Sequence, residues 1–394
     1  MTAQEADRRA RAAWSALVEP GDEVAGALVQ ACGAAHALAW VERALTTGRP
    51  DWADLGAQAD VGDTVRRRLS AAVRRWGVRR PHVDVDRDLE AAARVGARVV
   101  VPGDPGWPEG LDDLGAAAPF ALWVRGEGPR HARSVALVGA RACTGYGERV
   151  AVDLAVDVAR RGWQVVSGGA YGIDAAAHRG ALVAEGRTLV VLAGGVDRAY
   201  PVGNARLLEE AVHGGGAVVS EVPPGAVPTR SRFLQRNRLI AATARATVVV
   251  EAAWRSGAAS TAHHAARLLR PVGAVPGPVT SAASAGCHRL LRDGVAVCVT
   301  DAAEVVELAG DVGADVLEAS AQVGAPREGL DPLARRVLDA APRRGGRSTQ
   351  DVAVRAGTTV AEARDMLGLL ELDGLVRRVG SGWVLAEGDE VRRG

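Results

Sequence analysis

The 394-residue sequence contains no lysine; all 48 of its basic residues are arginines. Every cationic contact therefore comes from a planar guanidinium that can grip phosphate through paired hydrogen bonds and stack on a base. A GC-rich genome imposes the same bias toward Ala, Arg, Gly and Val. Cysteine is scarce and scattered. Cys32, Cys143, Cys287 and Cys298 make no C-x-x-C or Cys/His pair at ligand spacing, so neither a metal site nor a disulfide framework is expected. No apolar run approaches the roughly 18 residues that span a bilayer. The first residues, MTAQEADRRARAAW, are charged where a signal peptide is apolar, which points to a cytoplasmic protein. Net charge is nearly missing: 48 basic against 47 acidic residues leave +1. Any affinity for nucleic acid must come from local patches, not a global field.

What is present reads as a folded chain. Apolar residues make up 48% and charged residues 24%, a globular composition, and the length suits two or three domains of roughly 150 residues. Residues 1–80 carry Trp14, Leu17 and Val18, then Val24, Leu28 and Val29, at helical spacing, with turns at Pro20-Gly21 and Gly48-Arg49-Pro50. They predict a small helical domain. It ends in the cluster Arg66, Arg67, Arg68, Arg74, Arg75, Arg79 and Arg80, readable as a phosphate contact or as a solvated helix face.

Residues 81–310 change pattern. Short β-branched runs at 135–138, 164–166, 188–192, 217–220, 247–250, 272–275 and 296–299 alternate with helical stretches at 147–161, 172–185, 204–213, 232–244, 258–269 and 286–292. Strands so continuously apolar must be covered on both faces, which predicts an α/β fold: a Rossmann-like, doubly wound, mostly parallel sheet. Residues 311–329 read as a linker. Residues 330–394 hold three helical segments, the third opening on a Thr359/Glu362 capping box, and then two short strands around Gly380-Ser381-Gly382. That order predicts a winged-helix domain. The acidic residues of its third helix, Glu362, Asp365, Glu371 and Asp373, weigh against insertion among duplex phosphates and toward protein contact or a spacer role.

In such a sheet ligands bind beyond the carboxyl ends of the strands. The segment VALVGARACTGYGE places Gly139, Arg141 and Thr144 between a strand and a helix, where backbone amides can cradle an anionic oxygen and Arg141 can close over it. The spacing is not G-x-G-x-x-G, no ribose-binding acid ends the second strand, and no Walker A loop is present. NAD binding is therefore not expected, nor is any other cofactor. In SGGAYGIDAAAH, Ser167, Gly168 and Gly169 offer further donors to a phosphate. Asp174 and His178 share a helix face there and predict a structural Asp–His hydrogen bond. Val165 stands where a nucleophile elbow needs glycine, so a serine hydrolase is rejected. In PTRSRFLQRNRLIAA, Arg230, Arg232, Arg236, Asn237 and Arg238 surround Phe233, one of only two phenylalanines. Cations for a backbone and a flat face for a base are what a single strand requires; the alternative is a core phenylalanine beside a solvated face. Glu251 and Ser256 read as structural, the latter as a helix cap. His263 and His264 point about 100° apart on a helix, too far for joint metal ligation.

Taken in order, VPGDPGWPEGLDDLGAAAPFALWVRG, VALVGARACTGYG, VVSGGAYGIDAAAH, TLVVLAGGVDRAYPVGNARLLEE, AVVSEVPPG, RFLQRNRLIAA, VVVEAAWRSGAASTAHHA, VGAVPG and SAGCHRLLRDGV resemble the DNA-processing protein A (DprA/Smf) family over about residues 98–300. The resemblance implies a non-enzymatic protein that binds and protects single-stranded DNA and loads the RecA recombinase onto it during natural transformation. It implies a homodimer too. It places Gly139, Arg141, Thr144, the Ser167-Gly168-Gly169 loop, Arg230, Phe233, Arg236, Asn237 and Arg238 on the single-strand groove. Ala140 stands where the family commonly has serine, Arg230 where a lysine can stand, and Ala258-Ala259 in an SGS-like block. The alternative is a phosphate-binding enzyme of the lysine-decarboxylase-like phosphoribohydrolase type, whose PGGxGTxxE block here reads LAGGVDRAYP.

Overall fold

The structure is a computed structural model that describes residues 2–55, 62–128, 133–254, 256–310, 331–342, 345–380 and 382–386. The chain divides into two compact units, Met1–Val316 and Leu317–Gly394.

The first unit opens with five helices: α1 (Ala3–Leu17), α2 (Glu23–Cys32), α3 (Ala34–Thr47), α4 (Asp63–Arg79) and α5 (Val85–Arg94). Their apolar faces converge on Trp14, Trp40 and Trp76. The sheet that follows has nine strands: β1 (Ala97–Val100), β2 (Leu122–Gly126), β3 (Ser134–Val138), β4 (Gln164–Ser167), β5 (Thr188–Leu192), β6 (Ala217–Ser220), β7 (Ala246–Val249), β8 (Val272–Ala274) and β9 (Val297–Cys298). Between them lie α6 (Gly145–Arg160), α7 (Ile173–Val183), α8 (Ala205–His213), α9 (Arg230–Thr243), α10 (Gly257–Arg267) and α11 (Ala285–Arg292), and α12 (Ala302–Ala309) closes the unit.

Strand order is β1-β2-β6-β5-β4-β3-β7-β8-β9. Strands β3 to β9 run parallel to their neighbours, and β1 and β2 form an antiparallel edge beside β6. Alternate residues feed opposite faces: Ala136, Val138 and Val166 enter one core, Val135, Leu137 and Val165 the other. This is the doubly wound, mostly parallel sheet read from the sequence. The strands at 97–100 and 122–126 and the helix at 302–309 are additions to that reading. The two strands are joined through a 3-10 segment, Glu109–Ala117, and pair across distances that local periodicity does not report.

The chain builds outward from β3 to β6 on one side and then crosses to β7 on the other. The loops leaving β3 and β7 diverge there and open a crevice, the position at which such sheets bind ligands. The helical N-terminus shares a core with the sheet edge: Phe120 stacks on Trp14 at 5.6 Å between ring centroids, and Trp123 Nε1 donates to Ser15 Oγ over 3.2 Å. No single helix among the described residues is long and apolar enough to cross a membrane.

The second unit contains α13 (Pro332–Ala340), α14 (Thr349–Ala356) and α15 (Val360–Leu372), then the hairpin β10 (Val376–Val379) and β11 (Gly382–Leu385). Its core gathers Val337, Leu338, Val352, Leu367, Leu370 and Trp383. The Thr359/Glu362 capping box forms as read.

Candidate functional site

A cleft of about 380 Å³ occupies the crevice between β3 and β7. Its walls are the β3–α6 loop from Gly139 to Ala142, the face of α9 from Phe233 to Asn237, and Ala253, Ser256 and Gly257 leading into α10.

The β3–α6 loop is bolted down from beneath. Thr144 caps α6 by accepting from the Gly147 amide over 3.2 Å, which satisfies one of the open donors of a helix start. The Thr144 hydroxyl donates to Glu251 Oε1 over 2.6 Å, and its amide donates to Glu251 Oε2 over 2.8 Å. Glu251 is buried at the end of β7, so one carboxylate ties together the two strands that flank the crevice. A Cβ at Gly147 would collide with that carboxylate, which is why glycine stands in the first turn of the helix there. Ser256 caps α10 by accepting from the Ala258 amide, as the sequence predicts.

With the loop so held, Arg141 is exposed and its guanidinium carbon lies 4.7 Å from the centroid of the Phe233 ring. Phe233 is half-buried on α9, and the carbon of the Arg236 guanidinium lies 5.9 Å from the same centroid. Tyr200, in the loop after β5, adds a second ring at 5.6 Å and 53°; its side chain is 48% exposed. Arg230, at the first turn of α9, is exposed. Neither Arg141 nor Arg230 pairs with a carboxylate among the described residues.

The polar groups of the other residues singled out from the sequence are engaged by the protein itself. Arg236 is buried and donates to the carbonyls of Gly168, over 2.6 Å, and Val191. Desolvation lowers its pKa to about 10, offset in part by Asp174, so it stays charged at neutral pH. A Cβ at Gly168 would strike that guanidinium. Ser167 is buried and its hydroxyl donates to Leu137 O over 2.6 Å. The Ala170 amide donates to Asp174 over 3.4 Å, the Gly168 amide lies beside the same carboxylate, and Gly169 O accepts from Asn204 Nδ2 over 3.0 Å. Of the backbone donors expected to meet a phosphate, the Gly168 amide therefore faces an internal carboxylate. Asn237 Nδ2 donates to Gly257 O over 3.2 Å, and Arg238 pairs with buried Glu221 at 2.5 Å. Arg232 pairs with Glu19, at the end of α1, over 2.9 Å.

The expected Asp174–His178 hydrogen bond is replaced by another. His178 Nδ1 meets Thr188 Oγ1 over 2.6 Å, because the helix packs that face against β5. Desolvation, reinforced by Arg236 and Arg179, pushes the His178 pKa down to about 3. Asp174 is buried at the base of the cleft, and desolvation raises its pKa against the opposing pull of Arg236. A neutral, internally bonded histidine and a serine committed to a carbonyl make no nucleophile–base pair. Asp197, in the segment weighed for a phosphoribohydrolase, accepts from the Gly225 amide over 2.8 Å. Among the described residues no group of three His, Cys, Asp or Glu side chains could hold a metal ion.

Tyr200 and Glu251's bridging role are not identified by sequence reasoning. Tyr200 is one of only three tyrosines and stands in the loop that follows a strand, a signal of rarity and position that could have singled it out.

The model of the family described as DNA recombination-mediator protein A matches residues 98–310. A relative bearing the DprA name in Mycobacterium tuberculosis is 46% identical over 335 residues, covering 78% of this chain and 85% of that protein. Protein Smf of Escherichia coli K12 is 40% identical over 190 residues, 48% of this chain and 50% of that one. The X-ray structure of DNA processing protein A from Streptococcus pneumoniae aligns with a TM-score of 0.54 at 27% identity, covering 70% of this chain and 93% of the other.

Proposed function

Since the chain belongs to the DNA recombination-mediator protein A (DprA/Smf) family, we propose that it holds unpaired DNA in the cleft between β3 and β7 and delivers it to a recombinase of the RecA kind, without chemistry of its own. The family is one of DNA-processing proteins. The observation that carries the reading for this chain is the stack of exposed Arg141 on half-buried Phe233, with Tyr200 beside it. A guanidinium over a ring neutralises a phosphate while the ring's free surface takes a base. Every base has a π-face, so such a platform binds single strands with little regard to sequence.

Arg141, Arg230, Phe233 and Tyr200 are then the contact groups. Gly139 and Thr144 shape the loop that presents Arg141. Ser167, Gly168, Gly169, Arg236, Asn237 and Arg238 set the floor and the pitch of α9. The homodimer and the recombinase partner rest on the family resemblance, and no docking surface for either is assigned.

The test is titration of a labelled oligothymidylate by fluorescence anisotropy. Arg141→Ala and Phe233→Ala should each weaken binding roughly tenfold, toward the lower end of the range for one stacked base, with duplex of the same length bound far less well. Unchanged affinity in the double variant would remove the site.

A further inference from the structure

A second aromatic stands exposed in the segment that leads from β7 into α10. Trp254 follows β7 and is 52% exposed. Seven of the other tryptophans, Trp14, Trp40, Trp76, Trp107, Trp123, Trp163 and Trp383, are buried, and Trp52 is half-buried. Ala253 and Ser256, its near neighbours in the chain, line the cleft, so Trp254 adjoins the cleft at that wall. Two cations attend it. The guanidinium carbons of Arg289 and Arg292, one turn apart on α11, lie 5.2 and 6.0 Å from the ring centroid. Asp293 is the one carboxylate paired with them among the described residues, at 3.5 and 3.9 Å, so the cluster keeps a net positive charge. The composition of the Arg141–Phe233 platform is thus repeated beside the same cleft: a ring with free surface and cations in contact with it.

We propose that Trp254, Arg289 and Arg292 form a second stacking platform, which takes a further base and its phosphate from the same unpaired strand where it leaves the cleft. The proposal rests on the reading of the cleft as a single-strand site and extends it from one platform to a track. Repeated aromatic faces alternating with cations are how sequence-tolerant proteins follow a single strand. Binding energy then accrues with strand length. An oligonucleotide too short to cross the cleft gains only the first platform, and a longer one gains both.

The experiment uses the full chain and an oligothymidylate series of increasing length at fixed salt. Trp254→Ala should bind the shortest oligonucleotides as the unaltered protein does and lose roughly tenfold on the longest, one stacked base's worth. Trp254→Phe should retain most of that affinity, and Arg289→Ala should lose part of it. Because Trp254 is the solvent-exposed indole among the described residues, long oligonucleotides should quench intrinsic fluorescence in the unaltered protein and much less in Trp254→Phe. Equal affinity of Trp254→Ala and the unaltered chain at every length would overturn the proposal. So would a variant with intact affinity but an altered sedimentation profile, which would make the patch a contact between copies of the chain. Phe233→Ala, measured alongside, separates the failures. Loss with Phe233→Ala but not with Trp254→Ala sinks the second platform alone; no loss with either sinks the cleft as well.

Discussion

Arg141 and Arg236 lie against the same aromatic ring, yet only Arg141 faces solvent. Arg141→Ala should leave the unfolding free energy within about 0.5 kcal/mol, as for other surface substitutions, while weakening single-strand binding. Arg236→Ala should cost about 3–5 kcal/mol, because it strands buried Asp174 and orphans the Gly168 and Val191 carbonyls. Urea unfolding of the two variants checks the contrast. His178 gives a pH signature. Its pKa falls from 6.5 to about 3 on burial, so between those values the unfolded chain binds a proton that the folded chain refuses. Its contribution is complete above pH 6.5 and is lost as pH falls toward about 3. Linkage puts the loss by pH 5 at about 2 kcal/mol. A His178→Gln variant should show a flatter fall in denaturation midpoint between pH 7 and 5 than the unaltered protein. Residue identity was legible in the sequence but solvent access was not: Ser167, Arg236 and Asn237 have the right chemistry for a phosphate and spend it on the interior.

Among the elements, the β3–α6 turn carries the most consequence, because one side chain serves both as its cap and as its anchor. Thr144→Ala should lose the cap, about 1 kcal/mol, and also leave part of buried Glu251 unpaired. Its cost should therefore exceed that of Ser256→Ala, which removes a cap alone. Single-strand affinity should fall with Thr144→Ala, since the loop presenting Arg141 loses its tether. Thermal melts and anisotropy titrations of both variants check this. The seven parallel strands β3 to β9 were legible because each is a short apolar run, most of them set off by glycine, that alternates with helical stretches. The antiparallel edge was not, since β1 and β2 are separated by the Glu109–Ala117 segment and neither run is long enough to declare its partner.

At the scale of the molecule, a net charge of +1 means that salt should act through the cleft alone. The logarithm of affinity for a single strand should fall against the logarithm of salt with a slope of about −0.7 per phosphate contacted. Arg141→Ala should make that slope shallower by about one such step. The helical N-terminus and the sheet should unfold together, because Trp14 stacks on Phe120, Glu19 pairs with Arg232, and buried Glu221 pairs with Arg238 beneath the turn at Gly21. Phe120→Ala should cost about 3–5 kcal/mol, the price of a large core cavity, and lower one shared transition seen by both circular dichroism and tryptophan emission. The amino-acid order alone determined the alternation of strand and helix, the glycine-punctuated turns, and the arginine-rich segment around Phe233. These are local matters, settled by side-chain period and turn chemistry within a few residues. Tertiary structure decided which guanidinium reaches solvent, that Tyr200 meets Phe233, and that Trp254 meets Arg289 and Arg292. Those pairings join residues far apart in the chain. Strand order and burial bring them together, and neither is encoded in any one segment.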